Sequence, residues 1–179
     1  MRSDGSMSVE RTDLKLPLAD RNKKILVFGI GNLVQSDDGF GVHIIREMLK
    51  EGHSLPSNVE LLDAGTSIID QLGDLMDADR LICVDVADGG SEPGTIYRFS
   101  PEDITYQKSK YHHAHKINIF DTLEMIRTMK KESPETTIIA VQPEIFDWGI
   151  TLSPTLQEKV APVIRLVLNE IDEANEKNN

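Results

Sequence analysis

Four aspartates and one histidine carry most of the chemistry that this sequence can offer. Asp37-Asp38 follow a short apolar run and a glycine-rich bend, Asp63 and Asp85 each close a later apolar run, and His115 heads an amphipathic stretch. Carboxylates from Asp38 and Asp85 with an imidazole from His115 would hold a metal while leaving other positions to water or substrate. Mixed oxygen and nitrogen donors suit a divalent first-row ion such as nickel or zinc better than magnesium or calcium, which take oxygen alone. Each residue also has a plainer role. Ser36, Asp37 or Asp38 can cap the helix that follows and offset its dipole. Asp85 can make a structural hydrogen bond, and His112, His113 and His115 can form a solvated cluster. Single residues do not decide between these roles.

The elements that must position them can be read from the apolar pattern. Ile25-Leu26-Val27-Phe28 is unbroken and partly β-branched, as in a strand buried on both faces of a parallel sheet. Gly29-Ile30-Gly31-Asn32 turns the chain, and Val42, Ile45 and Leu49, with Met48, mark a helix that packs back on the sheet. After a loop over 52–58, a second strand covers 59–62 and a helix over 67–76 presents Ile68, Leu72 and Leu75. A third buried strand runs from Arg80 to Val86, and the alternation over 95–99 predicts a half-exposed edge strand. The pattern lapses over 100–115. A helix over 116–130 then carries Ile119, Leu123, Ile126 and Met129, and a strand covers 137–141. Ser153 and Pro154 form an N-cap and first-turn pair for a last helix, whose stripe is Leu156, Val160, Val163, Val167 and Ile171, with a kink expected at Pro162.

This alternation predicts an α/β three-layer sandwich, a mostly parallel sheet of about five strands with helices on both faces. Ligands of such sheets sit outside the carboxyl ends of the strands. Asp37-Asp38, Asp63 and Asp85 all fall at that edge, and the loop before His115 can reach it.

At 179 residues the chain fits one domain, here 22–175, preceded by a polar, aperiodic stretch over 1–21 expected to be a disordered extension. A formal net charge of −11 argues against nucleic acid or an anionic membrane as a partner, because their phosphates would be repelled. The single cysteine, Cys83, lies inside an apolar run, which predicts a buried, inert thiol and suits a reducing cytoplasm. No apolar segment approaches the roughly 18 residues of a membrane span, and the leading segment lacks the apolar core of a signal peptide.

A second reading is a non-enzymatic nucleotide- or metal-binding α/β module. Gly29-x-Gly31 after the first strand and Asp63 after the second fit part of a dinucleotide fingerprint, yet Val34 stands where its third glycine belongs. Two aspartates also occupy the place where a pyrophosphate needs the bare positive end of a helix. Walker, nucleophile-elbow and paired C-x-x-C motifs are absent from the sequence, which removes support for phosphate cradling, acyl-serine chemistry and a zinc knot.

The ordered set Gly29-Ile30-Gly31-Asn32, Ser36-Asp37-Asp38-Gly39-Phe40-Gly41, Asp63-x-Gly65-Thr66, Asp85, His115 and Gly149-Ile150-Thr151-Leu152-Ser153-Pro154 resembles the nickel-iron hydrogenase maturation endopeptidases, over residues 24–172. The resemblance implies an enzyme that removes a C-terminal extension from the nickel-loaded precursor of a hydrogenase large subunit. It implies that Asp38, Asp85 and His115 contact the nickel supplied by that precursor, with zinc or cadmium able to take its place. Many members of the family carry Glu where this chain has Asp38. Either the metal or a carboxylate would activate water or polarise the scissile carbonyl, with Asp37 and Asp63 as candidate assistants. The resemblance also implies a monomer. The loop bearing Glu144, Phe146, Asp147 and Trp148 is a candidate grip on the substrate, or else a flap over the core.

Overall fold

Successive residues of each central strand are buried on opposite faces of one sheet, and this alternation sets the architecture. The computed structural model describes residues 23–103 and 119–177. Among them are β1 (Ile25–Ile30), α1 (Phe40–Glu51), β2 (Val59–Gly65), α2 (Leu72–Asp77), β3 (Arg80–Val86), β4 (Ile96–Phe99), α3 (Ile119–Lys130), β5 (Glu135–Val141), α4 (Pro154–Gln157) and α5 (Val160–Glu176). The strand order is β2-β1-β3-β5-β4; the first four are parallel, and β4 pairs antiparallel with β5 at the edge.

Ile25, Val27, Ile82, Val84, Ile139 and Val141 meet Ile44, Ile45 and Met48 of α1 and Val163, Val167 and Ile171 of α5. The intervening Leu26, Phe28, Leu81, Cys83, Ile138 and Ala140 meet Ile68, Leu75 of α2, and Ile119, Leu123 and Ile126 of α3. Two apolar layers therefore flank the sheet, and the three-layer α/β sandwich is the observed fold. Burial pushes the Cys83 thiol well above its ordinary range, with the charge of Asp85 adding to the effect, so it stays a protonated packing group. Among the described residues, no helix is long and apolar enough to cross a membrane.

Besides longer strands, with β2 running on to Gly65 and β5 starting at Glu135, the structure differs from the pattern in three places. Leu49 and Met129 are exposed, because each falls in the last turn of its helix, where the buried stripe ends. The helix expected over 67–76 is a 3-10 turn, Ile68–Gln71, running into α2. The kink expected at Pro162 occurs earlier, as a break between α4 and α5 at residues 158 and 159. Proline has no N–H for the carbonyl four residues back and its ring clashes with it, so the break falls where Glu158 would have bonded. Residues 1–22, which include the expected extension, and 104–118 lie outside the described residues.

At the amino end of the sheet the α5 layer covers a buried charge. Glu170 is almost fully buried; it accepts from Arg80 at 3.4 Å and from Thr137 Oγ1 at 3.3 Å, and Arg98 Nε donates to its other oxygen. Arg80 also pairs with Glu135 and holds that carboxyl below its usual range. Removing one partner of a buried ion cluster leaves the others desolvated, which costs about 3–5 kcal/mol. Glu170→Ala should lower the unfolding free energy in urea by about 3 kcal/mol, near the bottom of that range because Arg98 can relax into water.

Candidate active site

The strand order reverses at β1, with β2 on one side and β3 on the other, so the carboxyl ends of β1 and β3 open a crevice at the switch point. The start of α1 is wedged into that crevice. A Cβ on Gly41 would lie 2.2 Å from the Val84 carbonyl oxygen of β3 and 2.4 Å from that of Ile30 on β1. A Cβ on Gly29 would lie 2.0 Å from the Gly41 oxygen, so helix and sheet meet backbone to backbone. The helix-packing role of the glycine absent at position 34 is thus taken by Gly41.

Between strand and helix, Gly31 has φ +152°, and a Cβ there would sit 2.0 Å from the Asp38 carbonyl oxygen. The Asn32 N–H donates to that oxygen at 3.1 Å and to Asp38 Oδ2 at 3.2 Å. The bend thereby folds Asp38 back over the end of β1, half-buried. Across the wedge, Asp85 follows Val84, the residue level with Gly29 in the β1–β3 register. It is also half-buried, and its Oδ1 accepts the Val86 N–H at 2.8 Å. The loop beyond it is fixed by Gln142, whose Oε1 accepts from the Gly89 N–H and the Tyr97 hydroxyl, each at 2.9 Å, and whose Nε2 donates to Asp88.

Asp37 is fully buried and faces a different partner. Its Oδ2 accepts the N–H groups of Glu144 at 2.9 Å and Ile145 at 2.8 Å, and its Oδ1 accepts that of Ser153 at 2.7 Å. The cap expected from Ser36, Asp37 or Asp38 does not form: the residue at the cap of α1 is Gly39, which has no side chain to give, and Gln35 at the cap of the 3-10 turn over 36–39 makes no side-chain cap bond. Ser36 beside it has φ +46°, a left-handed conformation that costs a non-glycine residue about 1–2 kcal/mol. It is held there by its N–H bond to the Gly149 oxygen at 2.8 Å, within a Gln35–Gly149 parallel bridge. A Cβ on Gly149 would meet Ser36 Oγ at 2.4 Å, so a larger residue there would make the Ser36 hydroxyl rotate away.

Asp63 lies two residues before the end of β2 at Gly65, beside Gly29, and is engaged on both oxygens: Oδ2 pairs with Arg46 Nε at 3.0 Å, and Oδ1 accepts the Gly65 N–H at 3.0 Å. It ties α1 to the sheet edge. His115, with His112 and His113, lies outside the described residues, so the described part of the expected metal set is Asp38 and Asp85. Among the described residues, three metal-binding side chains do not gather at any point. Carboxylates such as those of Asp38 and Asp85 have the chemistry to bind a cation, or to accept a proton from water at a bound peptide. The anchoring by Asp37, the left-handed Ser36 and the Gln142 hub were not expected from the sequence. The only signal for the first was a second aspartate beside the expected ligand.

A family model described as hydrogenase maturation protease matches residues 42–170. The chain is 31% identical over 152 residues to hydrogenase 2 maturation protease of Escherichia coli, covering 84% of this chain and 92% of that protein. It is 30% identical over 160 residues to hydrogenase expression/formation protein HupD of Bradyrhizobium diazoefficiens, covering 88% and 83%. Among solved structures, the hydrogenase maturating endopeptidase HybD from E. coli superposes with a TM-score of 0.73 at 30% identity, covering 84% of this chain and 93% of that one. The maturation protease HycI from Thermococcus kodakarensis, at 22% identity and TM-score 0.69, shares the fold.

In the Asp37→Asn variant, an amide NH2 would face backbone N–H groups on one side or the other. Hydrogen bonds to a charged group contribute about 1.5–3 kcal/mol, so the variant should lose about that much stability in urea denaturation. Hydrogen exchange at Glu144, Ile145 and Ser153 should accelerate, whereas amides of the central strands should follow only the global loss.

Proposed function

Because the chain belongs to the hydrogenase maturation protease family, we propose that it removes the C-terminal extension of a hydrogenase large-subunit precursor after nickel has been inserted there. The chain is a peptide-bond hydrolase of hydrogenase maturation. The observation that best supports the finer reading is the placement of Asp38 and Asp85 at the carboxyl ends of neighbouring strands, at the switch point where this fold binds ligands.

In this reading nickel arrives as part of the substrate. Asp38, Asp85 and His115 contact it, so that a loaded precursor is held and an empty one is not. Asp38 suits this role, since among the described residues its Oδ1 takes no hydrogen bond and its Oδ2 takes a long one. Oxygen and imidazole donors would equally accept zinc or cadmium in place of nickel. Cleavage needs a polarised carbonyl and a deprotonated water. The bound nickel supplies Lewis acidity, and the carboxylate of Asp38 or Asp85 can take the proton from water. Asp37 and Asp63 assist by position, one holding the loop over 144–153 and the other holding α1. The reading includes a monomer working in the cytoplasm, where the lone buried thiol of Cys83 has no disulfide partner within the chain.

Purified Asp38→Ala and His115→Ala enzymes, incubated with nickel-loaded precursor, should process it at least about 100-fold more slowly than wild type, the scale of losing a group that acts in the chemical step. Processing at the wild-type rate by either folded variant would remove that residue from the site.

A further inference from the structure

Eight large apolar side chains are exposed among the described residues, and five of them, Val34, Ile145, Phe146, Trp148 and Ile150, lie on two joined loops beside Asp38. Trp148 is 78% exposed and Ile150 75%. Isolated exposed apolar residues are ordinary, but a group of them marks an interaction surface. The Gln35–Gly149 bridge runs the two loops side by side, which brings Val34 to the flank of the segment carrying Trp148 and Ile150.

This surface is held in place at a cost. The buried Asp37 carboxylate grips the segment at both roots, Glu144-Ile145 and Ser153, and Ser36 stays in a left-handed conformation against Gly149. Neither fixture buries the apolar side chains, so both keep a ridge projecting rather than folded down. Within the two loops themselves the charge is of one sign. Residues 31–39 and 142–153 contain no Lys or Arg, while Asp38, Glu144 and Asp147 stand among them. A partner docking there meets apolar surface framed by carboxylates.

We propose that this ridge docks an apolar segment of the hydrogenase precursor polypeptide, flanked by basic residues, and so aligns the chain to be cut with Asp38; this rests on the processing reading above. The occupant follows from continuity with the candidate site and from charge complementarity, which gives orientation and partner choice. Aromatic anchors at the centre of such a contact carry most of its affinity.

The test uses the full chain and nickel-loaded large-subunit precursor, with binding measured separately from cleavage. The Trp148→Ser/Ile150→Ser double variant should keep its melting temperature, while Kd and KM for the precursor rise about tenfold or more. Trp148→Arg should weaken binding more than Trp148→Glu, because the flanks of the partner are basic; the reverse order would contradict the charge assignment. An unchanged Kd in the folded double variant overturns the ridge. If wild type binds the precursor without shortening it and the double variant loses that binding, the ridge stands and the processing reading fails.

Discussion

The site depends on a contact that has no side chain in it. α1 begins where the Gly41 backbone lies against the carbonyls of Ile30 and Val84, closer than any Cβ would allow. That approach seats the amino end of the helix between β1 and β3. It thereby fixes where the preceding bend can run, and with it the place of Asp38 relative to the strand bearing Asp85. The switch-point topology supplies a crevice, and the glycine contact sets what stands in it. A larger residue at 41 would push the helix outward and open the distance between the two carboxylates.

The neighbouring aspartates illustrate how environment divides labour between identical side chains. Asp37 takes three backbone N–H bonds in a fully buried position, which compensates the loss of water around its charge. Asp38, one residue on, keeps part of its carboxylate open. The buried member gives mechanical support, tying the loop that closes the carboxyl edge to the bend that presents its neighbour. Strain at Ser36 persists because the surrounding backbone bridge over-determines it, as is common beside functional sites.

Much of the fold was legible because parallel strands buried on both faces appear as continuous apolar runs. β3 was readable to its ends for that reason, and β4 declared itself an edge by alternation. The helices were legible by period but not at their margins, since periodicity does not say where the layer beneath a helix stops; Leu49 and Met129 show this. The carboxyl-end rule placed Asp38 and Asp85 at one edge from their positions after strands. The anchoring role of Asp37 was hidden because its partners lie 107 to 116 residues away, and local pattern offers only the cap as an outlet for such a residue. The same distance problem hid Glu170 among Arg80, Arg98 and Thr137, where an acid on a helix reads as a solvated one. The family came from the order of these residues along the chain, through a resemblance that the family match then established.

In the proposed reaction Asp38 and Asp85 read nickel in the substrate before a peptide bond is cut. The most direct measurement is mass spectrometry of one large-subunit precursor, nickel-loaded and nickel-free, after incubation with the purified enzyme. The account predicts a C-terminally shortened product from the loaded precursor alone. Equal shortening of both forms, or of neither, would contradict it.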